Sequence, residues 1–208
     1  MLIASSFILC HLIGSIPTGF LVAKYLKGID IREHGSGNVG ATNTARVVGK
    51  LPGLLVLAID ILKGWVCVAL VAKMFIRLGV TVFEPDTYAL MLGCTAIIGH
   101  IWTVFLGFKG GKGIATSSGV FIGVAPNIFL VALAIWIVVF VWKRYVSLAS
   151  IISAVSIPIM LAVMPYPPVF VLITAVMCAI TVYKHYPNIK RLVRGEERGF
   201  TFGKKDEH

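Results

Sequence analysis

The stretch Gly53-Leu-Leu-Val-Leu-Ala-Ile-Asp60-Ile-Leu-Lys63-Gly-Trp-Val-Cys67-Val-Ala-Leu-Val-Ala-Lys73-Met-Phe-Ile76 decides the fold of this 208-residue chain. As a helix it would rise about 36 Å, enough to cross the roughly 30 Å of a bilayer's hydrocarbon core. Of its few charges, Asp60 and Lys63 stand three residues apart, where they can pair on one face and lower the cost of burying either. Their expected role is structural support under the loops. Working outward, similar apolar runs occur at about 2–23, 87–106, 114–124, 128–142, 146–163 and 168–183, separated by charged, Gly-rich or Pro-containing breaks. The expectation is one all-α integral membrane domain over 1–208 with seven transmembrane helices and a polar, frayed tail at about 200–208. The 114–124 run is too short for a lipid-exposed span, so it is expected to be an inner helix, with Ala115, Ser117, Ser118, Gly119 and Gly123 allowing close packing.

Composition agrees: 58% hydrophobic and 13% charged residues with a mean hydropathy of +0.92 exclude an ordinary soluble domain. Residues 1–23 lack a basic leader and a small-residue cleavage site, so they read as a first span rather than a removed signal. Cys10, Cys67, Cys94 and Cys178 lie far apart in apolar segments and read as core residues. The net charge of +10 is spread over separate loops, which argues against nucleic acid and for anionic lipid head groups and phosphorylated substrates.

Lysines and arginines divide between alternate loops. Sixteen fall on one side: Lys24, Lys27, Arg32, Arg46, Lys50, Lys109, Lys112, Lys143, Arg144, Lys184, Lys190, Arg191, Arg194, Arg198, Lys204 and Lys205. Lys73 and Arg77 fall on the other, with Lys63 inside a span. The excess marks the cytoplasmic face, which puts the N-terminus outside and the C-terminus in the cytoplasm.

Three polar clusters lie on that basic face. In the first, Gly35-Ser36-Gly37-Asn38-Val39-Gly40-Ala41-Thr42-Asn43-Thr44-Ala45-Arg46, glycines bring backbone N–H groups close to a ligand, short polar side chains surround it, and Arg46 offers a fork of donors for phosphate or carboxylate. Although Gly35 to Gly40 formally matches G-x-G-x-x-G with Asp60 twenty residues on, a charged loop precedes it and Asp60 lies in an apolar helix. No βαβ unit exists to host a dinucleotide. In the second, Lys109-Gly110-Gly111-Lys112-Gly113 leads into a helix N-terminus at Ile114-Ala115-Thr116, which offers free N–H groups and a point charge for phosphate; it is not a Walker A loop. In the third, His185 and Asn188 share a helical face at the membrane boundary, followed by Arg191, Arg194 and Glu197. Ser147 and Ser150, near the start of the 146–163 run, could cap a helix or donate to a phosphate.

Together these stretches resemble the three signature motifs of the bacterial acyl-phosphate:glycerol-3-phosphate acyltransferases, and Asp60-Ile-Leu-Lys63-Gly64 and Trp142-Lys-Arg-Tyr-Val-Ser147 match as well. The resemblance covers about residues 11–200, with Ile114 where Val is usual and extra polar residues after Phe200. It implies a multi-pass enzyme of the bacterial inner membrane, active on its cytoplasmic side. The enzyme would move an acyl group from acyl phosphate to the 1-hydroxyl of glycerol 3-phosphate, giving lysophosphatidic acid and phosphate. It assigns catalytic roles to Ser36, Asn38, Thr42, Asn43, Arg46, Lys112, His185 and Asn188. Substrate-binding roles fall to Gly37, Gly40, Gly110, Gly111, Gly113, Thr116, Ser147, Ser150, Arg191 and Glu197. No H-x-x-x-x-D exists, since His11, His34, His100 and His185 are followed five residues on by Ile16, Val39, Phe105 and Lys190. The mixed anhydride needs little help in losing phosphate, and the donor's own phosphate could take the hydroxyl proton, so positioning and charge stabilisation carry the expected catalysis. With one His and one matched carboxylate in the motifs, neither a metal nor a cofactor is expected. The alternative reading is a transporter for a small phosphorylated anion, although no internal repeat supports one. The sequence carries no signal of oligomeric state.

Overall fold

In the computed structural model, described for residues 1–199, every helix-forming run finds its counterpart and no strand occurs among the described residues. The tail at 200–208, with Lys204 and Lys205, lies outside the described residues. The chain divides into two compact units, Met1–Pro126 and the part from Asn127 onward.

The first unit begins with α1 (Leu2–Ser15) and α2 (Thr18–Lys27). Sequence periodicity gives one run over 2–23; the structure breaks it at Pro17, which has no N–H to continue the ladder and whose ring would collide with the preceding turn. Gly28, with φ of 68°, ends α2 in the left-handed conformation. After a loop come α3 (Ala41–Val47) and α4 (Lys50–Val66), and a π-helical stretch at Cys67–Val71 carries α4 into α5 (Ala72–Arg77). Then follow α6 (Pro85–Ile101), opened by a proline in its first turn, and α7 (Ile114–Val124). Helix α1 packs on α6, and α4 packs on α3 and α7. At these crossings backbones approach so closely that a methyl group would collide with main chain: Gly14 faces the Ala96 carbonyl, Gly99 that of His11, Gly64 that of Thr116 and Gly119 that of Ile61. Cys10, Cys67 and Cys94 are buried in this unit.

The break at Pro17 is held from α4 and from the turn that follows α6. The Lys63 ammonium donates to the Ile16 carbonyl at 3.2 Å, and the Thr103 hydroxyl donates to the Ser15 carbonyl. On the other side, the Thr18 hydroxyl donates to Asp60 Oδ1 at 3.1 Å, and Asp60 pairs with Lys63 at 2.8 Å. The cation thus meets the C-terminal, negative end of α1, and the carboxylate meets the N-terminal, positive end of α2. The expected Asp60–Lys63 pair is present, and it meets the broken helix at both ends.

The second unit comprises α8 (Pro126–Lys143), α9 (Val146–Ala162), α10 (Pro168–Lys184) and α11 (Tyr186–Val193). Ser153 donates to the Ala132 carbonyl at 2.7 Å and ties α9 to α8, while α9 and α10 pack together. Among the described residues four stretches are long and apolar enough to cross a membrane: Leu2–Lys27, Lys50–Arg77, Pro85–Leu106 and Pro126–Lys143. Pro168–Lys184 and Tyr186–Val193, bent by 57° from each other, make a fifth if taken together as one broken span; Ile114–Val124 and Val146–Ala162 are apolar but shorter.

Candidate active site

The first cluster rests on a small apolar base of Ala23, Ile31, Val39 and Leu106, with Phe20, Ile29 and Val48 packed against it. Asp30 accepts from the Arg32 backbone N–H at 2.9 Å and from its guanidinium at 2.6 Å, and that guanidinium lies 5.4 Å from the Phe20 ring centre. The neighbouring Arg32 holds the Asp30 carboxyl at about 2, well below the usual carboxylate range. Leu106 leads into the second glycine loop, so the two loops share this foundation.

Asn43, on α3 and 2% exposed, organises the first loop. Its Oδ1 accepts from the Ser36 N–H at 2.8 Å, and its Nδ2 donates to the carbonyls of Asn38 at 2.9 Å, His34 at 3.0 Å and Ile31 at 3.4 Å. Gly35 and Gly37 take φ of 63° and 70°, and a side chain at Gly35 would strike the Asn43 carboxamide. The loop's amides were expected to face an anion, but three are occupied internally. Ser36 N–H is held by Asn43, Gly37 N–H by the His34 carbonyl at 3.0 Å and Gly40 N–H by Asn38 Oδ1 at 2.9 Å. A loop this short satisfies its own donors first. What it presents is side chains: Ser36 is exposed, and Thr42 and Arg46, one turn apart on α3, are half-buried. Thr44 is buried, and its hydroxyl bonds the Gly40 carbonyl.

The second loop is likewise fastened to its own unit. Gly110 N–H donates to the Ile101 carbonyl at 3.1 Å and Gly111 N–H to that of His100 at 3.0 Å. Gly113, with φ of 87°, turns the chain into α7, whose first N–H groups have no partner within the helix. Lys112 is half-buried beside that helix start. Thr116, fully buried, has a hydroxyl without a hydrogen-bond partner among the described residues.

In the second unit, Glu197 gathers the third cluster. Its Oε1 accepts from Ser147 Oγ and Asn188 Nδ2, each at 2.6 Å, and its Oε2 from Arg191 Nε at 2.8 Å. Burial alone would raise its pKa, but these three donors outweigh burial and hold it below the usual glutamate value. Ser150 accepts from Trp136 Nε1 at 3.1 Å. His185 is buried at the bend between α10 and α11, with Nδ1 2.8 Å from the Thr181 carbonyl. A carbonyl can only accept, so Nδ1 carries a hydrogen and donates it to Thr181. Among the described residues no group of three or more His, Cys, Asp or Glu is placed to hold a metal ion.

A model of the glycerol-3-phosphate acyltransferase family matches residues 4–195. The chain belongs to this family. It is 43% identical to the glycerol-3-phosphate acyltransferase of Aquifex aeolicus over 194 residues, covering 93% of this chain and 96% of that one. It is 47% identical to that of Desulforudis audaxviator, covering 94% of each. Among solved structures it resembles the glycerol 3-phosphate form of PlsY, an integral membrane glycerol 3-phosphate acyltransferase, with a TM-score of 0.87, 40% identity and 96% of both chains covered. The lysophosphatidic acid form of PlsY gives a TM-score of 0.84. The resemblance read from the motifs is therefore correct.

Sequence reasoning missed Thr18 and His100, both of which meet the Asp60–Lys63 pair. The available signals were Thr18 directly after Pro17, and a histidine in the last turn of α6, ten residues before the glycine loop.

Proposed function

We propose that this acyltransferase moves a fatty acyl group from acyl phosphate to the 1-hydroxyl of glycerol 3-phosphate, releasing phosphate and lysophosphatidic acid in the bacterial inner membrane. The observation that carries the reading is the set of three polar clusters, each braced by buried hydrogen bonds, in a chain that matches the family from residue 4 to 195. Arg46 and Lys112 supply cations for the two anionic substrates. Ser36, Asn38 and Thr42 contribute polar contacts from the first loop, and Asn43 acts by holding that loop. Gly37, Gly40, Gly110, Gly111 and Gly113 shape the two loops, and Thr116 completes the start of α7. Both units carry motif residues.

His185 and Asn188 orient glycerol 3-phosphate, while the donor's own phosphate takes the proton during attack. Glu197 and Arg191 hold Asn188 and Ser147 in place. Seven crossings with the N-terminus outside and the basic loops in the cytoplasm put the reaction on the cytoplasmic side. The test is purified protein in detergent, supplied with palmitoyl phosphate and glycerol 3-phosphate. Release of phosphate and lysophosphatidate in equal amounts is expected. Anion movement in sealed vesicles without turnover in detergent would replace the reading with transport.

A further inference from the structure

A buried polar network adjoins the Gly110–Gly113 loop, and its central histidine belongs to none of the three motifs. Lys63 Nζ has three acceptors for its three hydrogens: Asp60 Oδ1 at 2.8 Å, His100 Nδ1 at 2.8 Å and the Ile16 carbonyl at 3.2 Å. Thr18 donates to the same Oδ1 of Asp60 at 3.1 Å. All four side chains are buried, at 5% exposure for Thr18, 1% for Asp60, 5% for Lys63 and 7% for His100. Because an ammonium can only donate, Nδ1 of His100 is the acceptor and the ring hydrogen sits on Nε2. The ring is thus held in one orientation by a cation that is itself fixed on three sides.

The other edge of that ring meets the loop. A side chain at Gly111 would overlap His100 Nε2 and crowd Cε1 and Cδ2, so the glycine's bare Cα face rests on the imidazole edge. The same histidine's carbonyl holds the Gly111 N–H, and the Ile101 carbonyl holds that of Gly110. The next residue is Lys112.

We propose that His100 is a positioning residue: clamped by Lys63, its ring is the seat that sets Gly111 and, through it, the ammonium of Lys112. This rests on the acyltransferase reading above. His100→Asn keeps an acceptor near the place of Nδ1 and removes the Nε2 edge. It should raise KM for glycerol 3-phosphate about tenfold while kcat stays within about threefold, since a displaced cation costs binding before chemistry. Gly111→Ala should do the same by pushing against the ring. In the double variant the added methyl enters the space the ring has left, so the loss should not exceed that of the worse single change. Losses that multiply, or an unchanged KM in either single variant, would overturn the proposal.

A second measurement needs neither activity nor the His100 variant. In detergent-solubilised protein, Gly111→Ala should shift the His100 Cε1–H resonance, whereas Lys112→Met should leave it in place. An unmoved resonance in Gly111→Ala sinks the seat. Wild-type protein that fails to turn over palmitoyl phosphate refutes the acyltransferase reading instead, and the resonance shift still decides the positioning.

Discussion

Asn43, a motif residue, turns its side chain onto the backbone of its own loop. Asn43→Asp keeps the acceptor for Ser36 N–H but sets a carboxylate oxygen against the carbonyls of Ile31, His34 and Asn38. It should destabilise the protein by at least about 2 kcal/mol and abolish activity as completely as Asn43→Ala; denaturation in detergent beside the acyl-transfer assay checks both. Glu197 gives a prediction in pH. Its folded pKa lies below the ordinary value of 4.5, so its stabilisation is complete above that value and is lost as pH falls through the lower, folded one. Thermal midpoints compared between pH 6 and pH 3.5 should drop more for the wild type than for Glu197→Gln, which has no charge to lose; equal drops would remove Glu197 from the account. The sequence showed which residues are polar and clustered, since glycines and short polar side chains are rare in apolar runs. It did not show that Asn43 turns inward or that Glu197 faces three donors at once, because those contacts depend on φ values at Gly35 and Gly37 and on the path of the chain after α11.

At the scale of elements, apolar run length located the long helices but not the short polar α3 and α11, and the short 114–124 run coincides with α7 residue for residue. The break between α1 and α2 was written in Pro17, but the run's composition concealed it, since a proline inside an apolar stretch also fits a kinked, continuous span. The partners of that break come from α4 and the turn after α6, out of reach of any local pattern. Close crossings are likewise invisible until helices are paired. Gly119→Ala sets a methyl against the Ile61 carbonyl and Trp65 N–H of α4. In an isolated helix glycine to alanine stabilises by about 1 kcal/mol; here it should destabilise by about 1–3 kcal/mol, and a rise in thermal midpoint would show that α4 and α7 do not meet at this point.

For the whole molecule, the charge division makes orientation measurable. With Cys10, Cys67, Cys94 and Cys178 replaced by alanine, a cysteine at exposed Glu84 should react with an impermeant thiol reagent in intact cells, and one at exposed Lys50 only after the membrane is opened. The reverse pattern would invert the protein. The fold class was legible because a bilayer imposes one rule on every span: its backbone must satisfy itself. Depth was not, and α7 bears on it. Its 11 residues amount to about 16 Å, roughly half the thickness of the hydrocarbon core. Either its far end stops short or the Gly110–Gly113 turn is sunken, and the lysine beside that turn favours a sunken, hydrated dent. There a water-soluble alcohol would descend to meet the reactive head of an amphiphile still moored in its leaflet, so neither reactant need leave its own phase.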